Sequence, residues 1–114
     1  MATIEQVRVL ALMLPRTEER LVRDHVTFRV GRLVYLGFSP DEAWMGFAFP
    51  KEERAAMIAA EPDKFVLPSR GDLRYNWVVV RLDAIDESEM SELVVDAWRM
   101  CVPKKVAAGF GTDM

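Results

Sequence analysis

The segment of residues 27–36 constrains the fold most, because it joins two β-prone runs through the pair Gly31-Arg32. A two-residue connection that begins with Gly is typical of a type II′ turn, in which the first turn residue takes a positive φ. This length predicts one shared face for four side chains, with Val30 opposite Leu33 and Phe28 opposite Tyr35. The other face is expected to carry Thr27, Arg29, Val34 and Leu36. The segment therefore predicts an antiparallel hairpin with a basic tip.

Apolar residues at helical spacing predict three helices. Each is bounded by a capping pattern or by a proline, which ends a helix but is tolerated in its first turn. The first helix runs from the capping pair Thr3 and Gln6 to Pro15. The second runs from Pro50 to Glu61-Pro62, and the third from Asp86 to Pro103.

Five β-prone runs predict the strands: the two arms of the hairpin, residues 43–49, residues 64–67 and residues 74–82. Residues 16–24 are charged and are expected to be irregular, and residues 109–114 are expected to fray. The resulting order is α-β-β-β-α-β-β-α. Because helices segregate between runs of strands, we expect one α+β domain over residues 1–114. It is a two-layer sandwich, with an antiparallel sheet and helices packed on one face.

Composition limits the classes of function. The chain has 114 residues, 51% of them hydrophobic, and a net charge of −3, so binding to nucleic acid would require a local basic patch. No apolar run approaches the roughly 20 residues that span a bilayer, and the first residues do not resemble a signal peptide. We therefore expect a cytoplasmic protein without a membrane partner. The single cysteine, Cys101, falls on the apolar stripe of the third helix, which favours packing over redox chemistry.

The sequence offers little for catalysis. His25 is the only histidine, and the chain contains no metal-binding, nucleophile-elbow or phosphate-loop motif. Carboxylates such as Glu52-Glu53 and Glu89 fall at helix starts, where they complement the helix dipole. We therefore expect no catalytic residue, no metal site and no cofactor.

Arginines beside aromatic residues give the strongest functional pattern. Arg29 and Arg32 mark the hairpin, and Arg70 and Arg74 flank the loop before Tyr75 and Trp77. Arginine next to exposed aromatic rings suits phosphate contacts combined with base stacking, although ordinary solvated arginines give the same composition. Trp44 and Trp77 can share a concave face, either as core residues or, with Tyr75, as a ligand pocket.

Several segments together resemble the YjbR/MmcQ family of small bacterial proteins. They are Leu12-Met13-Leu14-Pro15, Phe28-Arg29-Val30-Gly31, Pro50-Lys51-Glu52-Glu53, Trp77-Val78-Val79-Val80-Arg81-Leu82, Ala97-Trp98-Arg99 and Val102-Pro103-Lys104-Lys105. The resemblance implies the same α+β sandwich. It also implies DNA binding, through the likeness of this fold to the double-wing domain of a phage transcription factor.

The residues and the resemblance together predict a non-enzymatic DNA-binding protein. Weak backbone contacts would come from Arg29, Arg32, Arg70 and Arg74. Two alternatives remain open: a protein-interaction or self-associating module that uses the sheet face, and a small-molecule binder with a pocket formed by Trp44, Tyr75 and Trp77.

Overall fold

The computed structural model describes residues 1–110, which form one sheet and the helices that pack on it. Its helices are α1 (Ile4–Met13), α2 (Lys51–Ala60), α3 (Glu87–Arg99) and α4 (Lys104–Gly109). Its strands are β1 (Thr17–Val22), β2 (His25–Val30), β3 (Leu33–Phe38), β4 (Trp44–Ala48), β5 (Phe65–Val66) and β6 (Trp77–Arg81). Short 3₁₀ turns occur at Arg70–Asp72 and Leu82–Ala84.

Within residues 1–110 the strands form one six-stranded sheet in the order β1-β2-β3-β4-β6-β5, and every neighbouring pair is antiparallel. Helix α3 contacts α1 and crosses β3 and β4, while α2 lies against β5 and β6. The predicted α+β class and the order of the predicted elements are therefore confirmed. The structure adds two elements, β1 and α4.

The core lies between the helices and one face of the sheet. From the sheet it takes Phe28, Leu36, Met45, Phe47, Val78 and Val80, and from the helices it takes Val7, Ala11, Met90, Val94, Ala97 and Trp98. All of these side chains are buried. The Trp98 indole also donates a hydrogen bond of 2.8 Å from Nε1 to the Pro15 carbonyl, so its one polar atom is satisfied.

The predicted turn at the β2–β3 hairpin is confirmed. Gly31 has a φ of 59°, and Arg32 is absent from the positive-φ residues among those described, which distinguishes type II′ from type I′. Val30 pairs with Leu33 as predicted. The predicted pairing of Phe28 with Tyr35 is wrong, because the register shifts at a bulge and Phe28 pairs with Leu36. Leu36 is therefore buried on the core face and not on the opposite face.

The prediction of an irregular segment over residues 16–24 is also wrong. Strand β1 pairs with β2 over its full length, through a turn at Arg23 and Asp24 whose positive φ values of 52° and 67° fit type I′. Its polar inward side chains have partners. Thr17 Oγ1 shares a hydrogen bond of 2.7 Å with Tyr35 OH, and Glu19 accepts one of 3.0 Å from Arg8 Nε. An edge strand of this kind needs few apolar residues.

The C-terminal region is more ordered than the sequence predicts, as far as it is described. Gly109 ends α4, and the ring of Phe110 packs edge-on against Trp98 at 5.2 Å. The fraying expected beyond Phe110 concerns residues 111–114, which lie outside the described residues. None of the helices formed by residues 1–110 is long and apolar enough to cross a membrane.

Candidate functional site

The face of the sheet opposite the helices, called here the uncovered face, carries the aromatic and basic residues of interest. The register assigns to it Thr27 and Arg29 of β2, Val34 and Gly37 of β3, Trp44 and Gly46 of β4, and Trp77, Val79 and Arg81 of β6. Strict alternation along β4 and β6 gives the same division of side chains, which agrees with the expected shared face of Trp44 and Trp77. The tryptophans of this face are half-buried, in contrast to Trp98.

A concavity of about 660 Å³ opens on the uncovered face. Trp44 and Trp77 both line it, together with His25, Thr27 and the glycines of β3 and β4. The structure therefore brings the two tryptophans to one shared surface. The Arg81 guanidinium lies 5.2 Å from the centre of the Trp44 ring, within cation–π range.

The Trp77 indole lies across β4 because Gly46 has no side chain. A Cβ atom at Gly46 would lie 2.7 Å from Trp77 Cε2 and 2.8 Å from Cζ2, which is closer than a real contact allows. A Cβ at Gly37 would lie an ordinary 3.6 Å from Cζ2. The Nε1–Cε2–Cζ2 edge of the indole thus lies against β4 and reaches β3.

A second concavity, of about 620 Å³, lies on the other side of Trp77. Arg32, Tyr75 and Trp77 line it, so the hairpin tip and the start of β6 meet here. Tyr75 is 51% exposed, and the Arg74 guanidinium stacks 4.9 Å from its ring centre. Asp72 lines both concavities and is the carboxylate that they share.

The four arginines predicted as DNA contacts do not lie together at one site. Arg32 lines the second concavity, whereas Arg29, Arg70 and Arg74 line neither of the two. Arg29 is half-buried beside Glu18 and Val34, and its Nε is buried without a hydrogen-bond partner among residues 1–110. Arg70 and Arg74 are exposed in the segment that precedes β6.

Two arginines near the first concavity were not predicted from the sequence: one lines the concavity, and the other stacks on the Trp44 ring that lines it. Arg81 stacks on Trp44, and Arg23 lines the concavity from the β1–β2 turn. The alternation of β6 places Arg81 on the same face as Trp77, so that signal was available. Arg23 could not be placed without β1.

Arg54 of α2 was also missed, and it holds the segment that carries Tyr75 and Trp77. Its Nη1 donates to the Tyr75 carbonyl at 3.1 Å and to the Trp77 carbonyl at 3.2 Å, while its Nη2 donates to the Leu73 carbonyl. One guanidinium therefore fixes three alternate carbonyls and, through them, the direction of the aromatic side chains. Contacts over such a separation in sequence leave no local pattern.

The two residues with the most reactive side-chain chemistry have structural surroundings. The His25 ring bonds through Nδ1 to the Phe38 carbonyl at 2.9 Å. Burial raises the pKa of the Cys101 thiol, so it stays protonated and weakly nucleophilic near neutral pH. Among the described residues no group of three or more His, Cys, Asp or Glu side chains could hold a metal ion.

Comparisons with known proteins agree with this architecture. The structure of Deinococcus radiodurans protein DR2400, which has a DUF419 domain, matches with a TM-score of 0.75 and 21% identity, covering 88% of this chain and 78% of that one. Such a likeness shows a shared α+β fold. The YjbR family model matches residues 12–100, and the chain therefore belongs to the YjbR family. No curated protein matches the chain.

Proposed function

We propose that this protein is a non-enzymatic, cytoplasmic DNA-binding protein that contacts phosphates from the uncovered face and its bordering turns. The observation that carries the proposal is the separation of charge in an acidic chain. The uncovered face and its bordering turns and loop carry a small net positive charge. Their arginines are Arg20, Arg23, Arg29, Arg32, Arg70, Arg74 and Arg81, and their carboxylates are Glu18, Asp24, Asp41, Glu42, Asp72 and Asp83, the last of which pairs with Arg81. Phosphate binding requires such a local excess of cations.

The carboxylates of helix α3, on the opposite side of the molecule, support binding through the uncovered face. Helix α3 carries Glu87, Glu89, Glu92 and Asp96 against Arg99 alone. A polyanion would be repelled from that helix and attracted to the arginines of the sheet. The overall charge of −3 nevertheless limits affinity, so we expect a Kd of roughly 10⁻⁴–10⁻⁶ M, which is typical of nonspecific complexes.

The non-enzymatic part of the proposal is supported by the state of the two reactive side chains. The ring of His25 bonds to backbone, and Cys101 is half-buried with a raised pKa. A free thiol in a chain with one cysteine also suits a reducing compartment such as the cytoplasm.

The salt dependence of DNA affinity tests the proposal. We would titrate labelled duplex and single-stranded DNA by fluorescence anisotropy at several salt concentrations. The log–log slope grows by roughly 0.9 for each phosphate neutralised, so Arg29→Ala with Arg32→Ala should flatten it by about two units. Lys104→Ala with Lys105→Ala is the matched control, because it removes the same charge from exposed positions of α4.

Two results would contradict the proposal. One is the absence of binding even at low salt. The other is an equal loss of slope in the arginine and lysine pairs, which would attribute binding to net charge rather than to the uncovered face. Thermal melts of both double variants should accompany the titrations, since Arg29 is half-buried.

A second candidate, a protein-interaction or self-associating module, is favoured by strand β1. This strand lies at the edge of the sheet, so one side of it has no strand partner among residues 1–110. Leu21 is 71% exposed and Val22 is 46% exposed there. Open edges of this kind pair with added strands. Self-association in sedimentation experiments, reduced by Leu21→Lys, would support this candidate if DNA binding fails.

A further inference from the structure

We propose that the nucleic acid bound by this protein is single-stranded, and that one of its unpaired bases stacks on the Trp77 indole. The inference rests on the proposed function and names its substrate class. Nothing in the charge pattern alone distinguishes a duplex from a single strand. The geometry of the tryptophans does.

Trp77 presents its ring to open space. The edge of the indole formed by Nε1, Cε2 and Cζ2 lies over Gly46, so contact with β4 holds the ring along one edge. The indole borders both concavities, of about 660 and 620 Å³, so space for a planar ring exists beside it. Stacking on such a ring is independent of sequence, since every base has an aromatic face.

Trp44 provides a second ring on the same surface. Trp77 is paired with Ala48, which lies four residues along β4 from Trp44. The two Cα atoms are therefore about 13 Å apart along the sheet, and the Trp77 ring extends from its Cα over Gly46 towards Trp44. Two different bases of one strand can contact the two rings, and Arg81 on the Trp44 ring supplies a cation for the phosphate between them.

Asp72 sets the orientation of the strand. Its carboxylate lines both concavities beside Trp77 and would repel a phosphate placed there. The same oxygens can accept a hydrogen bond from the exocyclic amine of a base. Bases are therefore favoured next to Trp77, and phosphates are favoured at the arginine-lined border. A duplex cannot satisfy this arrangement, because its base faces are covered by their neighbours.

The test compares short oligonucleotides of one length, single-stranded and duplex, with free mononucleotide as a third ligand. Trp77→Leu keeps an apolar cover over Gly46 but removes the aromatic face, whereas Trp77→Phe keeps both. We expect Trp77→Leu to weaken single-strand binding roughly 5- to 150-fold, as measured for stacked bases, and Trp77→Phe to retain most of the affinity. Duplex affinity should be unchanged by either variant.

Tryptophan fluorescence keeps the inference testable if Trp77→Leu fails to fold. In Trp44→Phe the remaining tryptophans are Trp77 and the fully buried Trp98, so quenching by single-stranded oligonucleotide reports on Trp77. Quenching at saturation supports the inference, and unchanged fluorescence at saturation overturns it.

The ligand series separates this inference from the proposed function. Equal or tighter binding of duplex, with the arginine-dependent salt slope intact, overturns the single-strand inference and leaves the proposed function standing. Mononucleotide binding as tight as oligonucleotide binding also overturns it, in favour of a small-molecule site. Failure of every ligand to bind at low salt removes both.

Discussion

On the helix-covered face of the sheet, Met45, Phe47 and Val78 are fully buried and contact the helices, whereas on the uncovered face Trp44 and Trp77 are only half-buried. An antiparallel sheet that needs one core can leave its second face polar. This sheet instead places two tryptophans there, and one of them, Trp77, lies over Gly46. The difference indicates that stability comes mainly from one face, which leaves the other free for the binding role proposed above.

Removing an aromatic ring from each face tests that difference most directly. Phe47→Ala should lower the free energy of unfolding by about 3–5 kcal/mol, since it leaves a cavity between the sheet and the helices. Trp44→Ala on the uncovered face should cost much less, because solvent replaces part of the ring. Equal losses in urea denaturation would show that both faces stabilise the fold alike.

A pH titration examines the buried side of the sheet through Tyr35. Desolvation raises the pKa of Tyr35 to about 12, above the ordinary value of 10.0. The neutral phenol is thus favoured in the folded state, and its stabilising effect is complete below pH 10 and declines as the pH rises towards 12. The free energy of unfolding should fall by about 2 kcal/mol over that window. Tyr35→Phe should remove this component of the decline, and an unchanged pH profile would contradict the assignment.

A pair of glycine variants addresses the contact between Trp77 and the uncovered face. Gly46→Ala should displace the indole and destabilise the protein by about 1 kcal/mol or more, because its Cβ overlaps the ring. Gly37→Ala is the matched control, since its Cβ would make an ordinary contact. A shift in tryptophan emission should accompany Gly46→Ala only. Similar melts and spectra for both variants would mean that the indole adjusts freely.

The smallest effect is expected at the rim of the uncovered face. Arg23 has a φ of 52°, a conformation that Asn adopts more readily than Arg. Arg23→Asn should therefore stabilise the protein by about 0.5 kcal/mol while weakening DNA binding, since it removes a cation. Greater stability with unchanged affinity would exclude Arg23 from the binding surface.

The helices and the β2–β3 hairpin could be predicted because their signals are local. The Thr3 capping box forms as expected, and Gly31 adopts the conformation that its turn requires. Strand β1 could not be predicted, because the charged residue Glu19 is accommodated only by Arg8 of another element. The bulge that moves Tyr35 off its predicted pairing lies within the hairpin, and the hydrogen bond of Tyr35 to Thr17 of β1 accompanies it, so no local pattern reveals it.

The candidate site was predictable to the same extent. Alternation along β4 and β6 is enough to bring Trp44 and Trp77 to one face. The spread of the four predicted arginines depends on loop paths and turn positions that residue spacing does not encode. The hydrogen bonds from Arg54 join α2 to residues about a fifth of the chain away, so no local signal reveals them.

The hydrogen bonds from Arg54 affect how readily two copies of the protein could associate through an edge of the sheet. Strand β5 pairs only with Val79 and Val80, so the carbonyls of Tyr75 and Trp77 would otherwise lie at an open edge. Arg54 donates hydrogen bonds to both, so an incoming strand finds fewer acceptors there. The opposite edge, β1, is a full-length strand with exposed apolar residues, and its Glu18–Arg20 ion pair is electrically neutral. The two ends of the sheet therefore differ in how readily they accept another strand, and β1 is the end through which copies could pair.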